Sequence, residues 1–213
     1  MKIIQHYLNF RPSVEWILKE SGLPYLELDI NVPHEQIYQE WLTVADQAVS
    51  HRDKESVSEK FFYGHAGWKS LVLYGENSIA TSSNQKPFAW TQIADNCPIT
   101  KSWLSDNFAI DEDTNRIRFM LLQPQGHILP HVDRPTKGFS EINIAITNPA
   151  NCNFRFLNYG NVPFVPGRAI MVDVSNEHLV YNNSNESRLH IIVHGKLKNK
   201  DIIKESYESR HYS

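Results

Sequence analysis

His131 and Asp133 stand two residues apart, directly after Pro130. In an extended segment such a pair lies on one face, so one imidazole and one carboxylate can aim at a single cation. Far downstream His178 offers a second imidazole, and Arg188 heads the alternating run 188–194. Two imidazoles and one carboxylate leave up to three positions of an octahedral iron open, which is the ligand set of non-haem Fe(II) oxygenases. Arg188 adds a planar, permanently charged fork suited to a carboxylate. Together they suit an iron that holds a carboxylate-bearing co-substrate and O2 side by side. Zinc stays open as an alternative, because three protein ligands and one open position also make a hydrolytic zinc site.

Other polar residues near this set have two readings each. In 188–194, Arg188, His190, Ile192 and His194 alternate with Leu189, Ile191 and Val193, so the two groups face opposite ways in a strand. His190 either donates to the co-substrate carboxylate or bonds within the barrel, and His194 reads as structural or exposed. In 141–147, Ile142, Ile144 and Ile146 form an apolar face for a core, and Asn143 lies on the other face. Asn143 either bonds an anionic oxygen or is satisfied by backbone. Arg155, between two phenylalanines, reaches a substrate or lies in solvent. His127 is expected in a loop, because Pro130 argues against a helix that would pair it with His131. Trp68 reads as core more readily than as a substrate contact.

The elements that must position these groups are mostly strands. From residue 116 onward, short strands are expected at 116–123, 128–132, 141–147, 153–157, 168–172, 178–181 and 188–194. Pro124, Gly126, Gly138, Pro149, Gly160, Gly167 and the pair Asn182 and Asn183 punctuate them. Such spacing means a sandwich or a barrel. Upstream, helices are expected at 12–19, 34–50 and 100–107, the last capped by Thr100, with strands at 61–63 and 68–74. The charged stretch 51–59 is expected in solvent. The helices are expected to pack on one outer sheet. The tail 198–213 is either a short helix or frayed.

The 213 residues are expected to form a single domain: a helical and mixed lead-in over 1–114, a core over 115–195 and a tail over 196–213. A formal net charge of -3 without a dense basic run argues against nucleic acid as partner. No stretch has the apolar run of a signal peptide or membrane span, and the two cysteines, Cys97 and Cys152, are too few for a stapled secreted scaffold. The expectation is a cytoplasmic protein with reduced thiols. The glycines form no Walker or dinucleotide fingerprint. Oligomeric state is left open.

The stretches 128–133, 165–173 and 178–190 together resemble the aspartyl/asparaginyl β-hydroxylase family, with a weaker likeness at 67–74. That family belongs to the Fe(II)- and 2-oxoglutarate-dependent oxygenases. The resemblance implies a mainly β fold with flanking helices, a double-stranded β-helix of the jelly-roll, cupin-like kind. It implies His131, Asp133 and His178 as catalytic iron ligands, and 2-oxoglutarate held at its distal carboxylate by Arg188; His190 and Asn143 stay candidates for the same co-substrate on the alternation of their strands alone. It further implies hydroxylation of an amino acid, free or within a peptide, using O2 and releasing succinate and CO2. Peptide-modifying animal members have glycine where this chain has Asp133, so the full triad is similar to that of the bacterial free-amino-acid hydroxylases. Those carry an Arg-x-His pair where this chain has Glu141 and Asn143. The alternatives are a non-redox cupin-like isomerase or hydrolase and a non-catalytic jelly-roll binding module.

Overall fold

The computed structural model describes residues 21–51, 64–80, 87–110, 116–133 and 141–211. The helix expected at 12–19, the strand at 61–63, the turn at Gly138 and most of the charged stretch 51–59 lie outside them. In chain order the elements are β1 (Tyr25–Leu28), α1 (His34–Leu42), a 3-10 turn (Ala45–Gln47), β2 (Val49–Ser50), β3 (His65–Gly75), β4 (Ala89–Trp90), α2 (Gln92–Asp95), α3 (Pro98–Asn107) and β5 (Phe108–Ala109). They continue with β6 (Arg116–His131), β7 (Glu141–Thr147), β8 (Cys152–Phe156), β9 (Gly160–Asn161), β10 (Ala169–Val172), β11 (His178–Asn182), β12 (Arg188–His194), β13 (Lys196–Leu197) and α4 (Asp201–His211).

Two antiparallel ribbons wrap around one interior. The first pairs β6 with β12 over its first half, where Arg116 faces His194 and Leu122 faces Arg188. Over its second half β6 pairs with β11, where His178 faces His131. The second ribbon pairs β7 with β10 and β8 with β9, and joins the first through β12 with β7 and β11 with β8. This curled antiparallel sheet with flanking helices is the expected double-stranded β-helix. β3 lines the outer edge of β6 along both halves, and β1 extends the larger half beyond β10.

β6 is one strand where two were expected. Pro124 and Gly126 mark a corner inside it, at which β3 also shifts register between Ala66 and Trp68. Gln125 takes φ 60 there. A Cβ on Gly126 would stand 2.8 Å from the Gln123 carbonyl oxygen and 2.9 Å from that of Ala66, so only glycine fits this corner. The corner turns the chain from the larger half of the barrel into the smaller one without breaking its pairing.

Two cores result. The outer one packs Ile142, Ile144, Ile146, Leu189, Ile191 and Val193 against the helices through Ile37, Trp41, Leu104, Ile203 and Tyr207. The inner one fills the barrel with Leu122, Ile128, Ala145, Phe154, Phe156, Phe164, Ile170 and Val180, with Trp68 half-buried against it. The division of 141–147 and 188–194 between two faces is thus as expected, with the helices on the larger half.

Several local expectations are corrected. α1 ends at Leu42 instead of continuing to residue 50, because Ala48 is extended and Val49 and Ser50 pair with the open edge of β3. The β-branched Val49 favours that ladder over another helical turn. His51, at the head of the stretch expected in solvent, is buried and bonds Ser70 Oγ at 3.0 Å. α3 starts at Pro98, where proline is tolerated because its missing N–H would be unpaired anyway. The Glu40 carboxylate, not a Thr100 cap, accepts from the backbone N–H groups of Ile99 and Thr100 at 2.7 and 2.8 Å. His127 lies in β6 opposite Tyr181, not in a loop. The tail forms α4, held through Arg210 to Glu27 and Asp29 at 3.0 and 2.9 Å. Among the described residues no helix is long and apolar enough to cross a membrane.

Candidate active site

His131 ends β6 and His178 begins β11, and the two face each other across the antiparallel pair. Directly opposed side chains share a face, and the rings sit 4.2 Å apart between centroids. Asp133 lies just past the strand, where its N–H donates to the Val174 carbonyl at 3.0 Å. Its Oδ2 is 3.8 Å from Nε2 of each histidine. One ligand atom from each of the three residues falls within 4.8 Å of the others. Two donors each about 2.1 Å from a shared ion, at right angles, lie roughly 3 Å apart. Small side-chain rotations close that difference.

Both imidazoles are set in one tautomer. His131 Nδ1 stands 2.8 Å from the Leu129 carbonyl and His178 Nδ1 stands 2.9 Å from that of Asn176. A carbonyl only accepts, so each Nδ1 carries the proton and each Nε2 turns a lone pair toward Asp133. Burial, together with the neighbouring His131, pulls the pKa of His178 down to about 4, against the opposing pull of the Asn176 carbonyl and Asp133. It is therefore neutral near pH 7, as a metal ligand must be. Phe154 stacks on its ring at 5.0 Å and 6°, and Phe156 meets it edge-on at 5.8 Å.

Arg188 and His190 face the barrel interior from the start of β12 and are both buried. Arg188 Nη2 donates to His190 Nδ1 at 2.9 Å. Arginine cannot accept, so Nδ1 is a lone pair and the proton sits on Nε2. That Nε2–H, and the Nε–H of Arg188, are buried with no hydrogen-bond partner among the described residues. Burial lowers Arg188 to about 10, with Cys152 opposing. Burial, then the adjacent Arg188, hold His190 well below the ordinary range. Phe164 lies against both, 4.6 Å from the His190 ring and 5.6 Å from the guanidinium carbon. Two orphaned donors on neighbouring inward-facing residues of one strand fit an anionic ligand such as a carboxylate, since a buried donor without an acceptor carries its full desolvation cost.

Asn143 is buried on the same inner face, opposite Ile192. Arg155 is exposed, so it takes the solvent face. His194, read as structural or exposed, is buried. Sequence reasoning missed Asn182, whose amide nitrogen donates to the carbonyls of Leu122, Gln123 and Glu186 at 3.1, 3.0 and 2.7 Å. That amide pins the turn before Arg188 to the corner of β6. An asparagine pair signals a turn in sequence, but not what the turn is tied to.

A jelly-roll barrel in which two histidines and one carboxylate converge is the architecture of the Fe(II)/2-oxoglutarate oxygenases. The chain belongs to the aspartyl/asparaginyl beta-hydroxylase family, whose model matches residues 33–196. No curated protein matches it in sequence. Among solved structures, an oxidoreductase of the 2OG-Fe(II) oxygenase family from Burkholderia pseudomallei has TM-score 0.52 at 10% identity, covering 87% of this chain and 91% of that one. A Pseudomonas putida prolyl-4-hydroxylase is 12% identical over 86% of this chain and 100% of its own, at TM-score 0.48. A viral collagen prolyl hydroxylase of Paramecium Bursaria Chlorella virus-1, with 2OG, is 9% identical over 81% and 96%, at TM-score 0.42. At such identities the likeness is one of fold.

Proposed function

We propose that the chain is an Fe(II)- and 2-oxoglutarate-dependent dioxygenase that hydroxylates an amino acid, free or within a peptide, and releases succinate and CO2. The observation that carries this reading is the pair of partnerless buried donors, Arg188 Nε and His190 Nε2, in the same barrel as the convergent His131, Asp133 and His178. A metal alone gives those donors no role, and a dicarboxylic co-substrate does. A zinc hydrolase built on the same triad would satisfy them only through a carboxylate of its own substrate.

In this reading His131, Asp133 and His178 hold the metal through Nε2, a carboxylate oxygen and Nε2. Arg188 and His190 hold the distal carboxylate of 2-oxoglutarate, and Asn143 bonds another of its oxygens. When bound, iron and the keto acid supply the oxidising chemistry. The chain's own part is placement and dryness. Phe154 and Phe156 fix the His178 ring, the two backbone carbonyls fix both tautomers, and the inner core around Phe164 keeps water from the co-substrate.

The test is succinate formation from 2-oxoglutarate with Fe(II) in air, screened over amino acids and short peptides. Succinate that requires both iron and O2, and rises with one substrate, supports the reading. Substrate turnover that proceeds equally with zinc and without O2 refutes it.

A further inference from the structure

One short turn touches two of the three metal ligands. Residues 173–177 join β10 to β11. Within them the Val174 carbonyl accepts from the Asp133 N–H at 3.0 Å. The Asn176 carbonyl stands 2.9 Å from His178 Nδ1, which donates to it. The first bond places the backbone that carries the carboxylate, and the second fixes the tautomer and orientation of the ring. Asp133 Oδ2 and His178 Nε2 then stand 3.8 Å apart.

The shape of the turn comes from Asp173. Its Oδ1 accepts from the backbone N–H of Ser175 at 3.1 Å and from the Ser175 hydroxyl. Its carbonyl accepts from the backbone N–H and the side-chain amide of Asn176, each at 3.2 Å. Its own N–H donates to the Pro24 carbonyl at 2.8 Å, which ties the turn to the chain entering β1. The Val174 side chain is buried in the inner core, and the Glu177 carbonyl accepts from the Leu157 N–H at 3.0 Å. The peptide groups whose carbonyls face the two ligands are thus held on either side.

Asp173 is 7% exposed, and among the described residues its carboxylate bonds only to Ser175. Burying a carboxylate is costly, and here the side chain ties no distant element into the fold. What it does is hold Ser175, and with it the peptides on both sides, in one conformation. We propose that Asp173 is a positioning residue for the metal: by closing this turn it aims Asp133 and His178 at a shared ion. This rests on the metal-binding part of the oxygenase reading, and adds to it a residue outside the ligand set.

The test titrates Co(II), in place of Fe(II), into the metal-free full chain by calorimetry, at a temperature where circular dichroism shows every variant folded. Asp173→Ala is expected to weaken Co(II) binding about tenfold or more. Asp173→Asn keeps an oxygen acceptor in the same place, so it is expected to recover most of the affinity. Ile191→Val, a change in the outer core, is expected to lower the thermal midpoint without moving the affinity. Wild-type affinity in Asp173→Ala overturns the proposal while leaving the metal reading in place. So does an Asp173→Asn variant as weak as Asp173→Ala, or equal weakening in Ile191→Val. If Asp173→Ala does not fold, Ser175→Ala decides. It removes one hydroxyl from the turn and is expected to weaken Co(II) roughly two- to tenfold, and unchanged affinity there overturns the proposal. Absence of Co(II) binding by the wild type removes the metal reading together with it.

Discussion

Arg188 and His190 act as one unit, because the guanidinium donates to Nδ1 of the imidazole at 2.9 Å and so fixes the proton on Nε2. Each residue is left with one buried N–H in need of an acceptor. Arg188→Met is expected to raise the 2-oxoglutarate concentration for half-saturation about a hundredfold, and His190→Phe about tenfold, the difference between losing a charged fork and one neutral donor. Saturation curves with 2-oxoglutarate check this. An Arg188→Met curve superimposable on the wild type would show that the carboxylate lies elsewhere.

The metal ligands differ in what else they do. His131→Ala and Asp133→Ala are expected to lose bound iron with little loss of fold, because Asp133 is half-buried at the end of a strand. His178→Ala also opens space against Phe154 and Phe156, and should cost roughly 1–3 kcal/mol of stability besides the metal. Iron content and denaturation midpoints of the three variants separate the effects. Full iron occupancy in any one of them removes that residue from the ligand set.

Acid should weaken the metal-free protein through His178. Its folded pKa, about 4, lies below the ordinary 6.5. As pH falls through 6.5 the unfolded chain takes up a proton that the folded chain refuses until near 4. The contribution is therefore complete above pH 6.5 and disappears between 6.5 and 4, by roughly 1–3 kcal/mol. Thermal midpoints of the metal-free protein at pH 7, 5.5 and 4.5 should fall more steeply than those of His178→Gln. Parallel slopes would mean that His178 is not held neutral by its surroundings.

Asn182 ties the turn before Arg188 to the β6 corner through three carbonyls. Asn182→Ala leaves those acceptors short of a donor in a buried place and should cost about 2–4 kcal/mol. It should also raise the requirement for 2-oxoglutarate, because the start of β12 loses its anchor. A variant of wild-type stability and wild-type saturation would show that the turn holds itself.

The inner and outer faces of β7 and β12 could be read from alternation, because every second residue changes from isoleucine, leucine or valine to a polar group. The same alternation placed Arg188 and His190 inside, and the family resemblance joined them to His131, Asp133 and His178. The corner of β6 could not be read. Pro124 and Gly126 look alike whether they end a strand or bend it, and only β3, pairing on both sides, decides. His194 illustrates a second limit. Its burial depends on Arg118 and Glu141, which are distant in sequence and meet it only through strand order. The tautomers of His131 and His178 depend on carbonyls two residues away in strand ends whose geometry no side-chain pattern encodes.

In the function proposed, a divalent metal on His131, Asp133 and His178 and a dicarboxylic keto acid on Arg188 and His190 occupy one barrel. Calorimetric titration of 2-oxoglutarate into the protein, with and without Fe(II) and in the absence of air, tests it most directly. One site is expected, which tightens sharply when iron is present and weakens in both His178→Ala and Arg188→Met. Binding that is indifferent to iron, or that survives both substitutions unchanged, would contradict it.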